Sequence, residues 1–318
     1  MQWVEKYRPN NLNEITSQNN IIQTLRKSLS TKNIPHLIFY GPSGCGKTST
    51  ILALAKELFG RKYWSDRIIE LNASDERGIN VIRDKIKTYA KQSVNLNDDI
   101  PPWKIIILDE ADTMTSDSQF ALRRIMEEYS KITRFCIICN YYSKIIDPLI
   151  SRCSLFCFKP ITDSEIYNKL VDISILEKLE YSENFLNKII KISRGDLRKA
   201  INYLQKCCNI NSIESKEELL DQLHGIIPKI TFDELIKYIF NKDIENVDKT
   251  INKIYLDGYS LVNQILLFHD FIIESSLDCT QKSLIINKLS EVDQSLIKGC
   301  DEFIQFMRLV YYIIDIIY

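Results

Sequence analysis

Net charge is nearly absent from this 318-residue chain: 41 Lys+Arg offset 42 Asp+Glu, leaving −1 at pH 7. That balance excludes a global field that would draw polyanions unselectively. The two halves differ, however. Residues 1–160 carry 23 basic against 17 acidic side chains (+6), and residues 161–318 carry 18 against 25 (−7). Any nucleic-acid surface is therefore a local patch. Long apolar runs are also missing. No stretch reaches the ~18–20 residues of a membrane span, and the C-terminal LVYYIIDIIY is interrupted by Asp315. No secretory signal pattern opens the sequence and the nine cysteines make an odd count, so a soluble protein in a reduced intracellular compartment is expected. The one CxxC, Cys136–Cys139, has no second pair at zinc-finger spacing. Its apolar context reads as a strand, which points the two thiols to opposite faces, as buried small side chains and not metal ligands. Internal repeats are lacking too. With 45% hydrophobic and 26% charged residues, what remains is an ordinary globular composition with room for two or three domains.

Residues 37–48 read LIFY-GPSGCGKT, a short apolar run followed by glycines around a lysine and a hydroxyl. A helical pattern starts at Ser49, giving the strand–loop–helix context that a phosphate-binding loop needs. Gly41, Gly44 and Gly46 allow the loop, which also contains Pro42, Ser43 and Cys45, to turn its N–H groups around a phosphate. Lys47 adds a charge for the β- and γ-phosphates, Thr48 a hydroxyl for Mg²⁺, and the helix dipole points the same way. The expected ligand is ATP or GTP.

Four further apolar runs follow, Arg67–Leu71, Lys104–Leu108, Arg134–Cys139 and Leu155–Phe158, each nearly continuous as in strands covered on both faces. Helical patterns at Ser49–Phe59, Asn80–Gln92 and Ser118–Ser130 separate them, which predicts an α/β parallel sheet with its ligand beyond the carboxyl ends of the strands. After Pro160 the pattern turns helical: Thr162–Leu176, opened by a Thr-Asp-Ser-Glu start signal, then Glu183–Ser193 and Asp196–Cys207. Asn209–Lys216 reads as a linker. Amphipathic segments at Phe232–Asn241, Ile244–Asp257, Leu261–Ser276 and Glu302–Tyr318 complete a last third without a chemical motif.

Asp109 and Glu110 end the run KIIILDE, where a carboxylate beside a phosphate loop is placed to hold Mg²⁺ (Asp109) and a second to orient the attacking water (Glu110). Asn140 ends the next strand, in reach of a γ-phosphate.

Eight short strings occur in fixed order: WVEKYRP at 3–9, GPSGCGKT at 41–48, LNASDERGI at 71–79, LDEAD at 108–112, ALRRIME at 121–127, ICN at 138–140, SRC at 151–153 and GDLRKAIN at 195–202. Through them the chain resembles the small subunits of replication factor C, the AAA+ sliding-clamp loader of eukaryotes, archaea and some large DNA viruses. The resemblance implies an AAA+ P-loop parallel-sheet domain (1–160), a small helical lid domain (161–222) and an all-helical C-terminal collar domain (223–318). It implies that Lys47 and Thr48 serve the phosphates and Mg²⁺, Asp109 the metal, Glu110 the water, and that Asn140 senses the γ-phosphate. Arg198 resembles a second sensor acting on the nucleotide of its own subunit. The same resemblance implies that Val4, Tyr7 and Arg8 line the adenine and phosphate side of the pocket. Arg152 resembles an arginine finger acting in trans, on the ATP site of a neighbour. Ser43 and Cys45 depart from the family's usual GPPGTGKT at variable positions, which leaves that mechanism untouched. The implied partners are the other subunits of a heteropentamer with a large subunit, the sliding clamp and primer–template DNA, with no membrane involved.

The helix after LNASDERGI carries Ile82, Ile86 and Ala90 on one stripe and Arg83, Lys87 and Lys91 on another. With no interleaved aromatics, the basic stripe suits the phosphates of a duplex more than its bases. Arg123 and Arg124 carry either a structural role or a restraint on Glu110. Two other readings stay open beside the clamp-loader ATPase: a subunit that binds ATP as structural glue and only donates Arg152, and a junction-migrating AAA+ helicase.

Overall fold

The computed structural model describes residues 2–31, 33–73, 79–92, 101–208, 219–220, 223, 225 and 227–318. Compactness divides the chain once, into Met1–Lys206 and Cys207–Tyr318. The three helices expected to open a separate lid domain at residue 161 share the first unit with the sheet.

The first unit starts with α1 (Trp3–Lys6) and α2 (Asn19–Ser30) and continues β1 (His36–Tyr40), α3 (Lys47–Arg67), β2 (Ile68–Asn72), α4 (Ile79–Lys91), β3 (Lys104–Asp109), α5 (Ser116–Glu128), β4 (Thr133–Cys139), α6 (Asp147–Ile150) and β5 (Cys153–Cys157). Then come α7 (Asp163–Leu176), α8 (Glu183–Ser193) and α9 (Leu197–Cys207). All pairings in the sheet are parallel, in the order β2-β3-β4-β1-β5. The continuous apolar runs have the cause expected of them. Leu37, Phe39, Ile105, Ile107, Cys136 and Ile138 face α2 and α3, while Ile38, Ile106, Leu108, Phe135, Ile137 and Cys139 face the α4–α5 side. The two thiols of the CxxC thus lie on opposite faces. Burial raises the Cys136 thiol well above its ordinary range and pushes Cys139 up to about 12.

Helix α3 begins two residues earlier than its apolar pattern suggests and continues past Gly60, whose φ of 70° and ψ of 162° break it into two helical stretches. Thr162 stands at the N-cap of α7 as predicted, but its hydroxyl donates to Glu165 Oε2 (2.8 Å) and accepts from no N–H of the first turn. Ser182 caps α8 in the usual way, accepting from the Phe185 N–H (3.0 Å).

The second unit is helical: α10 (Lys229–Phe240), α11 (Ile244–Leu256), α12 (Leu261–Glu274), α13 (Cys279–Ile297) and α14 (Glu302–Ile317). They close around one apolar core in which Phe268 meets Phe232 edge-on at 5.2 Å and Phe306 at 6.0 Å between ring centroids.

Candidate nucleotide site

The loop 41–46 leaves the carboxyl end of β1, between β4 and β5, and its glycines at 41 and 44 are required by space as well as by backbone angle. A Cβ on Gly41 (φ 145°) would stand 2.2 Å from the Phe158 carbonyl oxygen, and one on Gly44 (φ 66°) 1.8 Å from Asp196 Oδ1. Lys47, buried at 8% exposure, donates to the Gly41 oxygen (2.7 Å), the Pro42 oxygen (2.8 Å) and Asn140 Oδ1 (3.0 Å). Thr48 Oγ1 donates to Asp109 Oδ2 (2.8 Å), and Asp109 Oδ1 accepts from the Glu110 N–H (2.9 Å). The ends of β1, β3 and β4 therefore converge on one hydrogen-bonded cluster of Lys47, Asn140, Thr48 and Asp109. Thr48 and Asp109 supply hard oxygen donors side by side, a set that fits Mg²⁺. Glu110 sits in the left-handed region (φ 53°, ψ 38°), where Thr113 fixes its carbonyl through both its hydroxyl (2.7 Å) and its N–H (3.0 Å).

An open cleft lies beside the phosphate loop, lined by Val4, Tyr7 and Arg8 from the N-terminal box, Gly44 and Gly46 from the loop, Ser49 from the start of α3, and Arg198 from α9. Glu14, Ile15, Thr16 and Lys169 also line it, and no motif marks them in the sequence; Ile201, from GDLRKAIN, joins them. Tyr7 is held from the far side: its hydroxyl donates to Glu177 Oε1 (2.6 Å), which also receives Lys6 Nζ (2.6 Å). Burial, then the Glu177 bond, raises the Tyr7 phenol, while Lys6 and Tyr7 together hold the Glu177 carboxyl below its usual range. Cys45 does not face the cleft. It is 1% exposed, donates to the Pro42 oxygen (2.9 Å), and burial raises its thiol.

Arg152 stands apart from the cluster. It precedes β5, and in the β1–β5 register Cys153 pairs with His36 while Cys157 pairs with Tyr40, so the phosphate loop and Arg152 occupy opposite ends of the sheet. Arg152 Nη2 pairs with Glu127 Oε1 (2.5 Å), which Arg123 Nε also contacts (3.1 Å). Arg123 is thus bound to Glu127 on its own helix. On α4, Ile86 and Ala90 are buried and Lys87 and Lys91 exposed, that part of the amphipathic division read from the sequence; the side chains of Ile82 and Arg83 and the residues Ser74–Gly78 lie outside the described residues.

A phosphate loop on a five-stranded parallel sheet, with an acidic pair and an asparagine at the neighbouring strand ends, defines a P-loop ATPase of the AAA class. Residues 37–161 match the ATPase family associated with various cellular activities. Residues 168–208 match an RCF1/5-like AAA+ ATPase lid domain and residues 227–312 the replication factor C C-terminal domain. The chain is 44% identical to replication factor C subunit 4 of Homo sapiens, across 96% of this chain and 86% of that protein. It is 44% identical to replication factor C subunit 2 of Schizosaccharomyces pombe (97% and 92%) and 42% identical to the replication factor C small subunit of Archaeoglobus fulgidus (98% and 96%). The chain belongs to the replication factor C family, among its small subunits. Among solved structures, the Holliday junction branch migration motor RuvB of Thermotoga maritima aligns with a TM-score of 0.54 over 73% of this chain and 79% of its own, at 18% identity, a likeness of fold alone. Among the described residues no helix is long and apolar enough to cross a membrane.

Proposed function

We propose that this chain is an ATPase subunit of a heteropentameric clamp loader, which uses ATP to place a sliding clamp on primer–template DNA, and that its catalytic pocket is completed by the next subunit. In this reading residues 1–160 are the nucleotide-binding core, 161–222 the lid and 223–318 the collar that holds the ring together. The position of Arg152 carries the trans assignment. Strand β5 is five residues long, about 16 Å at ~3.3 Å per residue, more than an arginine side chain spans. Arg152 is therefore out of range of its own phosphate loop, and would exchange its Glu127 partner for a neighbour's phosphate.

Within the pocket, Lys47 exchanges its carbonyl partners for the β- and γ-phosphates, and the loop N–H groups take the remaining oxygens. Thr48 and Asp109 hold Mg²⁺, which when bound neutralises phosphate charge. Glu110 accepts a proton from the attacking water while Asn140 orients that water against the γ-phosphate. Arg198, from α9, and the partner's equivalent of Arg152 stabilise charge on the departing phosphate. Val4, Tyr7 and Arg8 close the base side. Lys87 and Lys91, with Arg83, form the stripe that tracks duplex phosphates, in keeping with a patch on a nearly neutral chain.

The test is co-assembly with a candidate large subunit, sister subunits and clamp, with ATPase measured with and without primed DNA. The assembled ring is expected to hydrolyse at least 10²-fold faster than the lone chain, since a finger supplied in trans is worth about 10³–10⁵ in rate. Lys47→Ala should abolish nucleotide binding at this subunit. A lone chain that turns over at the assembled rate overturns the split pocket. A Glu110→Gln ring with an unchanged DNA-stimulated rate assigns this subunit the role of structural glue.

A further inference from the structure

We infer that Ser43 and Asp196 form a tether between the phosphate loop and the lid helix α9, making Ser43 a positioning residue for Arg198 and for retention of the nucleotide. The inference rests on the reading above that Arg198 serves the nucleotide of its own subunit. Ser43 Oγ donates to Asp196 Oδ2 at 3.0 Å, across 153 residues of sequence. The other carboxylate oxygen, Oδ1, accepts from the Lys199 N–H at 3.0 Å, in the manner of an N-cap for α9. A second stitch runs beside the first, from the Leu197 N–H to the Gly44 oxygen (3.3 Å). Asp196 is only 8% exposed, and the loop approaches it so closely that a Cβ at Gly44 has no room. From the other side, the turn before it is fixed by the Ile161 N–H donating to the Gly195 oxygen (3.3 Å).

A buried carboxylate next to a loop built for phosphate is electrostatically unfavourable unless its position does something. Here each of its oxygens is hydrogen-bonded to a different element, one to the loop and one to the first turn of α9. Arg198 lies in that turn, two residues beyond Asp196. Where the loop sits therefore sets where Arg198 is delivered. Without the Ser43 hydroxyl, Oδ2 loses its partner from the loop and α9 is freer to swing away. The fraction of molecules with Arg198 over the cleft then falls, and apparent affinity falls by the same fraction. A proline in this place, as in the family's usual loop, offers no hydroxyl for the purpose.

The experiment follows release of a fluorescent ATP analogue from the full-length chain by stopped flow. Ser43→Ala should speed release about tenfold, the size that one hydrogen bond to a buried carboxylate supports, with the association rate and the melting temperature close to wild type. Ser43→Thr, which keeps the hydroxyl, should restore slow release. In an Arg198→Ala background, Ser43→Ala should add less than twofold, because the two act through one helix. Wild-type release from Ser43→Ala, or effects that multiply in full in the double variant, would overturn the tether. Should Lys47→Ala and Arg198→Ala both leave nucleotide binding intact, the site reading itself fails, and that outcome is distinct from the first two.

Discussion

Lys47, Arg67, Lys104 and Asp196 are buried charges of the first unit, whereas the second unit, among the described residues, buries no charged side chain and only the amides of Gln264 and Gln305. The contrast has a physical cost. Burying an ion is unfavourable unless hydrogen bonds replace water. Lys104 caps the end of α4 by donating to the Gln92 oxygen (2.7 Å) and the Tyr89 oxygen, yet burial, with Arg67 nearby, still lowers it to about 8. Gln264 is satisfied cheaply, accepting from the Ile227 N–H (3.2 Å) and donating to the Gly225 oxygen (2.7 Å). Both units leave apolar side chains exposed, the second more so: Leu256, Ile297 and Ile230 are 82%, 78% and 76% exposed, against 66% and 64% for Leu176 and Ile175 of the first. One unit concentrates polar groups inside, where chemistry needs low dielectric; the other keeps a plain core and leaves its surface apolar side chains more exposed.

The comparison breaks most visibly at Arg152. In an assembled ring Arg152→Ala should slow hydrolysis at the adjacent site about 10³-fold or more, with the variant's own nucleotide affinity and melting unchanged. Single-turnover assays on rings with one competent site read this, and a loss confined to the variant's own nucleotide affinity would refute the trans role. Phe268→Ala removes the ring at the centre of the second unit's core and should cost about 3–5 kcal/mol there. Trp3, Trp64 and Trp103 all belong to the first unit, so circular dichroism should register the loss while tryptophan fluorescence and nucleotide binding hold. Simultaneous collapse of both signals would show that the units are not independent.

The smallest effect is a pH dependence belonging to the first unit. His36 Nδ1 accepts from the Phe135 N–H (3.1 Å), and burial, then the Arg134 charge, lowers its pKa from 6.5 to about 4. The folded state prefers neutral imidazole, so its contribution is complete above pH 6.5 and is lost as pH falls toward 4. Tryptophan-detected melting should decline over that range, and His36→Gln should flatten the decline. An unaltered slope in the variant would move the cause elsewhere.

Much of the first unit was legible because its signals are local. Asp109 and Asn140 stand at strand ends that apolar runs announce, Lys47 and Thr48 open the helix after β1, and the parallel sheet brings them together without further information. What escaped is contact between distant segments. Gly44 reads as a phosphate-loop glycine, but Asp196 is what fills the space beside it; Ser43 reads as a neutral replacement, yet bonds across to the lid. Glu177 carries no motif and is placed against Tyr7 only by folding. Helix α13 lies in the last third expected to be helical, but the sequence pattern does not delimit it as a segment of its own, since only Ile285, Leu289 and Val292 along its 19 residues are buried and mark a face.

The sheet's order has a consequence for assembly geometry. On the proposed trans reading, a subunit that offers a guanidinium at one end of its strands and a phosphate cradle at the other meets its neighbour through two unlike surfaces. A row of these subunits has polarity, and wherever the row stays open its two terminal members differ: one has a donor with nothing to complete, the other a cradle that no neighbour completes.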